Sequence, residues 1–216
     1  MAFDHILFDL DGTLTDSYEG IAKSVQYSLE YYGIKEDNED NLKRFVGPPL
    51  WKSFRDFYGF PEEKAKQAVE KYRERYNVTG VYENKVIEGV PETLKTLSDS
   101  GKKLYVATSK PLQLANIVLS HFELDKYFEY ICGASLDFSF VEKCNIIEFI
   151  LDKYNITDKA SVLMVGDRKF DIIGAKQTGI ASVGVLCGYG SEQELSDAGA
   201  DYIVNNFSDI LKIILE

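Results

Sequence analysis

The chain is poor in the residues that most often carry soft-metal or redox chemistry: three cysteines and two histidines in 216 residues. Cys132, Cys144 and Cys187 are scattered singly, with no close pair of the kind that marks a zinc site or a redox motif. They read as reduced core thiols of a cytoplasmic protein. Long apolar runs are also missing, since no stretch approaches the roughly 18 uncharged apolar residues that suggest a membrane span. The N-terminus enters a strand-like run without a basic segment and an apolar signal region, so the chain reads as unexported. Positive charge is scarce too: 24 Lys and Arg stand against 35 Asp and Glu, a net charge of −11. That balance argues against a nucleic-acid surface, which needs a basic face for phosphates. A phosphate ligand would need a local exception to the global charge.

What is present is ordinary in bulk, with 45% hydrophobic and 27% charged residues, and long enough for a core domain with a smaller insert. The informative stretch is Phe3 to Ser17, FDHILFDLDGTLTDS, an apolar run of strand length that ends in Asp9 and Asp11, then Gly12 and Thr13. Asp-Gly after an apolar run can mark a hairpin. No second alternating strand follows Gly12, however, and Asp16 and Ser17 offer N-caps to a helical pattern. The stretch therefore reads as a strand that delivers two carboxylates to a loop.

Strand-like runs recur at His5–Leu10, Lys103–Ala107, Tyr130–Gly133, Val162–Val165, Ala181–Val185 and, more weakly, Tyr202–Val204, with helical sequence between them. Such alternation predicts a doubly wound α/β core, a parallel sheet with helices on both faces. The first and second runs are separated by far more chain than one crossover needs. Helical patterns at Tyr18–Tyr32, Asp40–Phe45, Leu50–Phe57 and Glu62–Tyr76 fill that gap. They predict a helical insert over residues 17–82, interrupted by Gly47-Pro48-Pro49, with the core formed by 1–16 and 83–216. The aromatic-rich stretch from Phe122 to Phe140 reads as packing rather than a cofactor box.

In an open parallel sheet, ligands bind beyond the carboxyl ends of the strands where strand order reverses. The first strand ends in Asp9 and Asp11, the second in Thr108-Ser109-Lys110-Pro111, and the fourth in Asp167, with Asp171 one helical turn later. Lys143 opens the helix after the third. Like charges at 4 Å and an effective dielectric near 20 repel by about 4 kcal/mol per pair, so converging carboxylates require a counter-charge. An oxygen-only set favours a hard cation, and a few carboxylates with retained water is the usual magnesium arrangement. The alternative is that Asp9, Asp11, Asp167 and Asp171 are separately solvated loop or cap residues. Their shared place at strand ends favours a site for phosphoryl transfer. In it Asp9 is the nucleophile, Asp11 the general acid and base, and Thr108 and Lys143 hold the phosphate.

Asp9-Leu10-Asp11-Gly12-Thr13, Thr108 after its strand, Lys143, and Gly166-Asp167-Arg168-Lys169-Phe170-Asp171 resemble, in order, the four motifs of the haloacid dehalogenase-like hydrolase superfamily. The resemblance covers essentially the whole chain and is greatest to the phosphoglycolate phosphatase-like branch, which carries an α-helical cap. It implies a Rossmann-like core, a magnesium-dependent phosphatase and a small phosphorylated metabolite as substrate. Pyrophosphatase and sugar phosphomutase are alternatives on the same scaffold. It also implies that Asp9, the Asp11 carbonyl and Asp167 bind Mg2+, with Asp171 as ligand or support, and that Thr108, Ser109 and Lys143 bind phosphate. Gly47 and Pro48 would lie in a cap loop that helps select the substrate, and hinges would fall near Thr15–Ser17 and Tyr82–Glu88. Asp11 argues against a true dehalogenase, whose halide leaving group needs no acid.

Overall fold

The computed structural model describes residues 3–216. In chain order the elements are β1 (His5–Phe8), β2 (Thr15–Asp16), α1 (Tyr18–Tyr31), α2 (Glu39–Lys43), α3 (Leu50–Tyr58), α4 (Glu62–Tyr76), β3 (Lys85–Val86) and α5 (Val90–Asp99). They continue with β4 (Lys103–Pro111), α6 (Leu112–His121), β5 (Tyr130–Ala134), α7 (Lys143–Lys153), β6 (Val162–Gly166), α8 (Lys169–Thr178), β7 (Ala181–Val185), α9 (Glu192–Ala198), β8 (Tyr202–Val204) and α10 (Ile210–Leu215). The chain divides into two compact units, Asp16–Lys85 and the sequence on either side of it.

The larger unit is built on six parallel strands in the order β5-β4-β1-β6-β7-β8. Taken by first appearance in this sheet, that is the 3-2-1-4-5-6 order of a Rossmann-like fold. The chain works outward from β1 to β5 on one side, then crosses to β6 on the other. The reversal therefore lies between β1 and β6, which pair with Phe8 opposite Val165. Both strands are sealed from water, with Ile6, Leu7, Phe8, Leu163, Met164 and Val165 all at 0% exposure. This explains why they read as continuous apolar runs, since helices cover both faces. Helix α7 lays Ile146, Ile147 and Ile150 against Leu7, Tyr105 and Met164 in one core cluster.

Two boundaries differ from the sequence expectation in a way that matters. Strand β1 ends at Phe8, so Asp9 stands immediately past the sheet, although its N–H still donates to Val165 O at 2.9 Å. Strand β4 does not end at Ala107 but runs on to Pro111, with a register irregularity against β5 between Thr108 and Pro111. Thr108, Ser109 and Lys110, expected to follow the strand-like run Lys103–Ala107, therefore belong to the strand itself.

The smaller unit is helical. Helix α1 packs on α4, with the Ser28 hydroxyl donating to Ala68 O at 2.7 Å. Phe45, Phe54 and Phe60 form a buried aromatic cluster. Arg75 binds Glu83 through two nitrogens, at 2.8 and 3.0 Å, and fixes the end of α4 to the returning chain. The connections at Thr15–Asp16 and Lys85–Val86, which sequence periodicity gives no sign of, pair as a two-stranded ribbon. Of the cysteines, only Cys132 is buried, and all three are free thiols. Among the described residues no helix is long and apolar enough to cross a membrane.

Candidate active site

Among the described residues, six charged side chains are buried: Asp9, Asp11, Lys110, Lys143, Asp167 and Asp171. All six come from the ends of β1, β4 and β6 or the first turns of α7 and α8. Burial of an isolated charge is expensive, so such groups occur together or not at all. Four carboxylates face two ammonium groups, leaving a shortfall of two positive charges.

Asp9, Asp167 and Asp171 each present a carboxylate oxygen within 4.8 Å of the others. Lys143 Nζ lies 2.9 Å from Asp9 Oδ1 and 2.8 Å from Asp171 Oδ1, and donates to Ala107 O at 2.8 Å. The two carboxylate contacts are close enough for ion pairing but poorly aligned as hydrogen bonds, so Asp9 Oδ1 and Asp171 Oδ1 are buried without a directed donor. Burial pushes the Asp9 carboxyl up to about 6 against the pull of Lys143, with Asp171 and Asp11 adding to the rise. Burial, together with Asp171 and Asp9, also raises Asp167 well above the usual carboxylate range, and the Tyr189 N–H draws it back only in part. For Lys143 burial pulls the other way, but Asp171 and Asp9 override it and hold the group as an ammonium. Raised carboxyls, undirected buried oxygens and a shortfall of two charges are what an oxygen-ligated divalent cation would relieve.

Asp167 is fully buried and held from both sides, Oδ1 by the Thr13 hydroxyl at 3.1 Å and Oδ2 by the Tyr189 N–H at 2.8 Å. Asp171 caps its own helix, its Oδ2 accepting from Arg168 N at 3.1 Å. It packs so closely on Gly166 that a Cβ there would lie 2.2 Å from Asp171 Cγ. Asp11 is set apart: Lys110 Nζ reaches both its oxygens, at 2.9 and 3.0 Å. Thr108 is buried, and its Oγ1 accepts from Lys110 N at 3.2 Å, which leaves its own proton free to donate. The Ser109 hydroxyl is directed elsewhere, donating to Val141 O at 3.0 Å and tethering the strand end to the segment before Lys143. Gly47 and Pro48 lie in the helical unit between α2 and α3.

A family model described as haloacid dehalogenase-like hydrolase matches residues 6–185. The chain belongs to this family. Among its relatives, a 5'-nucleotidase of Pseudomonas aeruginosa is 47% identical over 195 residues, 90% of this chain and 88% of that protein. The tyrosine-protein kinase PtkA of Mycobacterium tuberculosis is 38% identical over 185 residues, 86% of this chain and 62% of PtkA. The crystal structure of a predicted phosphatase from Clostridium acetobutylicum matches with a TM-score of 0.96 at 45% identity, over 100% of this chain and 99% of that one.

Within this haloacid dehalogenase-like hydrolase, Lys110 and Thr13 stand in the strand-end stretches named from the sequence, where neither was given a role, whereas the Gly188-Tyr189-Gly190 turn that wraps Asp167 was not named. Thr13 and Lys110 were visible as polar residues at strand ends. The turn carried a weaker signal, two glycines within five residues of the end of an apolar strand. Its glycines are needed for space: a Cβ at Gly188 would lie 2.3 Å from Gly12 O, and one at Gly190 2.0 Å from Asp167 O.

Proposed function

We propose that the protein is a magnesium-dependent phosphatase that hydrolyses small-molecule phosphate monoesters through an aspartyl phosphate. The observation that carries this reading is the gathering of all six buried charges at the point where strand order reverses. Asp9 attacks phosphorus, the ester P–O bond breaks, and the departing oxygen takes a proton from Asp11. Water then attacks the phosphoryl group on Asp9, loses its proton to Asp11 and releases inorganic phosphate. Lys143, the Thr108 hydroxyl and the Ser109 strand end hold the phosphoryl oxygens, where positioning and charge stabilisation supply most of the catalysis. Asp9, the Asp11 carbonyl and Asp167 would hold the Mg2+, with Asp171 in support. When bound, the ion neutralises charge on the phosphoryl group.

In this reading the Asp16–Lys85 unit is the cap, and Gly47 and Pro48 take part in substrate choice. Its insertion directly after the loop that carries Asp9 and Asp11 supports that role. Nucleoside 5'-monophosphates are the first substrates to test, given the name of the Pseudomonas aeruginosa relative. A screen of phosphorylated metabolites with Mg2+, including phosphoglycolate, pyrophosphate and sugar phosphates, ranks them by kcat/KM. Asp9→Asn should lower turnover by about three orders of magnitude or more while leaving the fold intact by circular dichroism. Turnover of several esters by that variant would overturn the reading.

A further inference from the structure

Asp9 and Asp11 are two residues apart, yet their carboxylates have different partners. Asp9 belongs to the buried cluster with Asp167 and Asp171, whereas Asp11 is gripped through both oxygens by Lys110. Lys110 is itself only 7% exposed, and its position is built into the sheet. Strand β4 departs from regular register with β5 between Thr108 and Pro111, the kind of irregularity that re-aims a side chain near an active site. The departure needs Gly133 on β5, where a Cβ would lie 2.6 Å from Leu112 Cα and 2.8 Å from Lys110 O. The Lys110 N–H is also tied to Thr108 Oγ1 at 3.2 Å, which links the lysine to a proposed phosphate-binding residue.

A divalent cation beside Asp9 would attract any nearby carboxylate, Asp11 included. We infer that Lys110 is a positioning residue that anchors the Asp11 carboxyl outside the metal cluster, keeping it available to the leaving oxygen instead of letting it become a further carboxylate on the cation. The inference rests on the phosphatase reading for its consequence in turnover. Its structural content, which partner Asp11 takes, can be measured without any substrate.

The test compares wild type, Lys110→Met, Lys110→Arg, Asp11→Asn and the Lys110→Met/Asp11→Asn double variant. Mg2+ affinity is measured by titration calorimetry on the protein alone. Lys110→Met should bind Mg2+ roughly tenfold more tightly as Asp11 joins the ligand set. That gain should vanish when Asp11 is already Asn, which separates capture of the carboxylate from a general effect of deleting a positive charge. A gain of equal size in both backgrounds, or no gain, overturns the inference.

Turnover supplies the second readout. With p-nitrophenyl phosphate, whose leaving group needs little protonation, the first-turnover release of p-nitrophenol by Lys110→Met should stay within about threefold of wild type, while the later hydrolysis of the phosphoryl group on Asp9, which also uses Asp11, slows. With an alkyl phosphate the first-turnover release of alcohol should itself fall by about 100-fold, and Lys110→Arg should restore most of the loss. Equal losses of first-turnover release on both esters, or a raised KM with kcat intact, would make Lys110 a structural or substrate-binding lysine and overturn the positioning role. Asp9→Asn run in parallel reports separately on the phosphatase reading, because its failure to abolish turnover leaves the Mg2+ comparison valid. If Lys110→Met does not fold by circular dichroism, Lys110→Gln carries the same comparison.

Discussion

Asp167 shows how little freedom a single residue of this site has. Its two oxygens are held by Thr13 and Tyr189, and backbone crowds it from the Gly12 and Gly188 sides. Gly12 adopts φ +90, a left-handed conformation that favours glycine, and a Cβ there would sit 2.4 Å from Asp167 Oδ2. Gly188 is required for room, since a Cβ would lie 2.4 Å from both Asp167 Cβ and Asp167 Oδ2. Backbone and a buried carboxylate cannot yield as a flexible side chain can. Gly188→Ala should therefore displace Asp167 and weaken Mg2+ affinity by roughly 10-fold or more, about what disturbing the support of a metal ligand costs. Calorimetric titration of the variant against wild type checks this. An unchanged affinity would show that the turn is not what holds Asp167. At this scale the sequence revealed the identity of the carboxylates, because strand ends and turn residues leave a local signature, but not what holds them. Tyr189 is 22 residues from Asp167.

Among the elements, α8 places Asp171 and is itself fixed from α9. Arg168 Nε reaches Glu194 Oε1 at 2.8 Å, and Lys169 N donates to the same oxygen at 3.0 Å. Burial would raise the Glu194 carboxyl, but Arg168 and the Lys169 N–H more than offset it and hold the group below its ordinary value. A carboxylate with a lowered folded pKa contributes stability above its unfolded pKa, and that contribution is lost as pH falls through the folded value. Glu194→Gln should thus cost about 1 to 3 kcal/mol at neutral pH. The gap to wild type should narrow in acid, as pH falls below the ordinary glutamate range toward the lowered folded value. Denaturant titrations at pH 7 and pH 3.5 test this, and a gap that does not change with pH would remove the ion pair as its cause. In the helical unit, a Cβ on Gly20 would lie 2.0 Å from Gly80 O, so α1 can approach the turn before β3 only with glycine there. Gly20→Ala should destabilise that unit by about 1 to 3 kcal/mol through overpacking, read as a lower melting midpoint. The long helices α1 and α4 were plain from periodicity. The short ribbon of β2 and β3 was not, because two-residue strands leave no periodic trace.

For the molecule as a whole, concentrating buried charge would link stability to the binding of a cation at the carboxylate cluster. The site carries two more negative than positive buried side chains, and a ligand that binds only the folded state stabilises it by mass action. At about 100 times its dissociation constant, Mg2+ should add about 2.7 kcal/mol, or roughly 5 to 10 °C in Tm for a chain of this size. Scanning calorimetry with Mg2+ and with a chelator measures the difference, and the chelator should also abolish turnover reversibly. A Tm indifferent to Mg2+ would mean that the ion does not bind the carboxylate cluster.

The sequence by itself determined the strand and helix alternation, the helical insert and the residue types that meet at the strand ends. Each of these depends on local propensity and hydrophobic period. Tertiary structure alone decided that Asp11 pairs with Lys110 while Asp9 and Asp171 share Lys143. It also directed the Ser109 hydroxyl to Val141 O and not into the carboxylate cluster. The physical reason is that burial makes the choice of counter-ion a matter of which atoms the sheet brings within 3 Å, and that depends on register between strands distant in sequence.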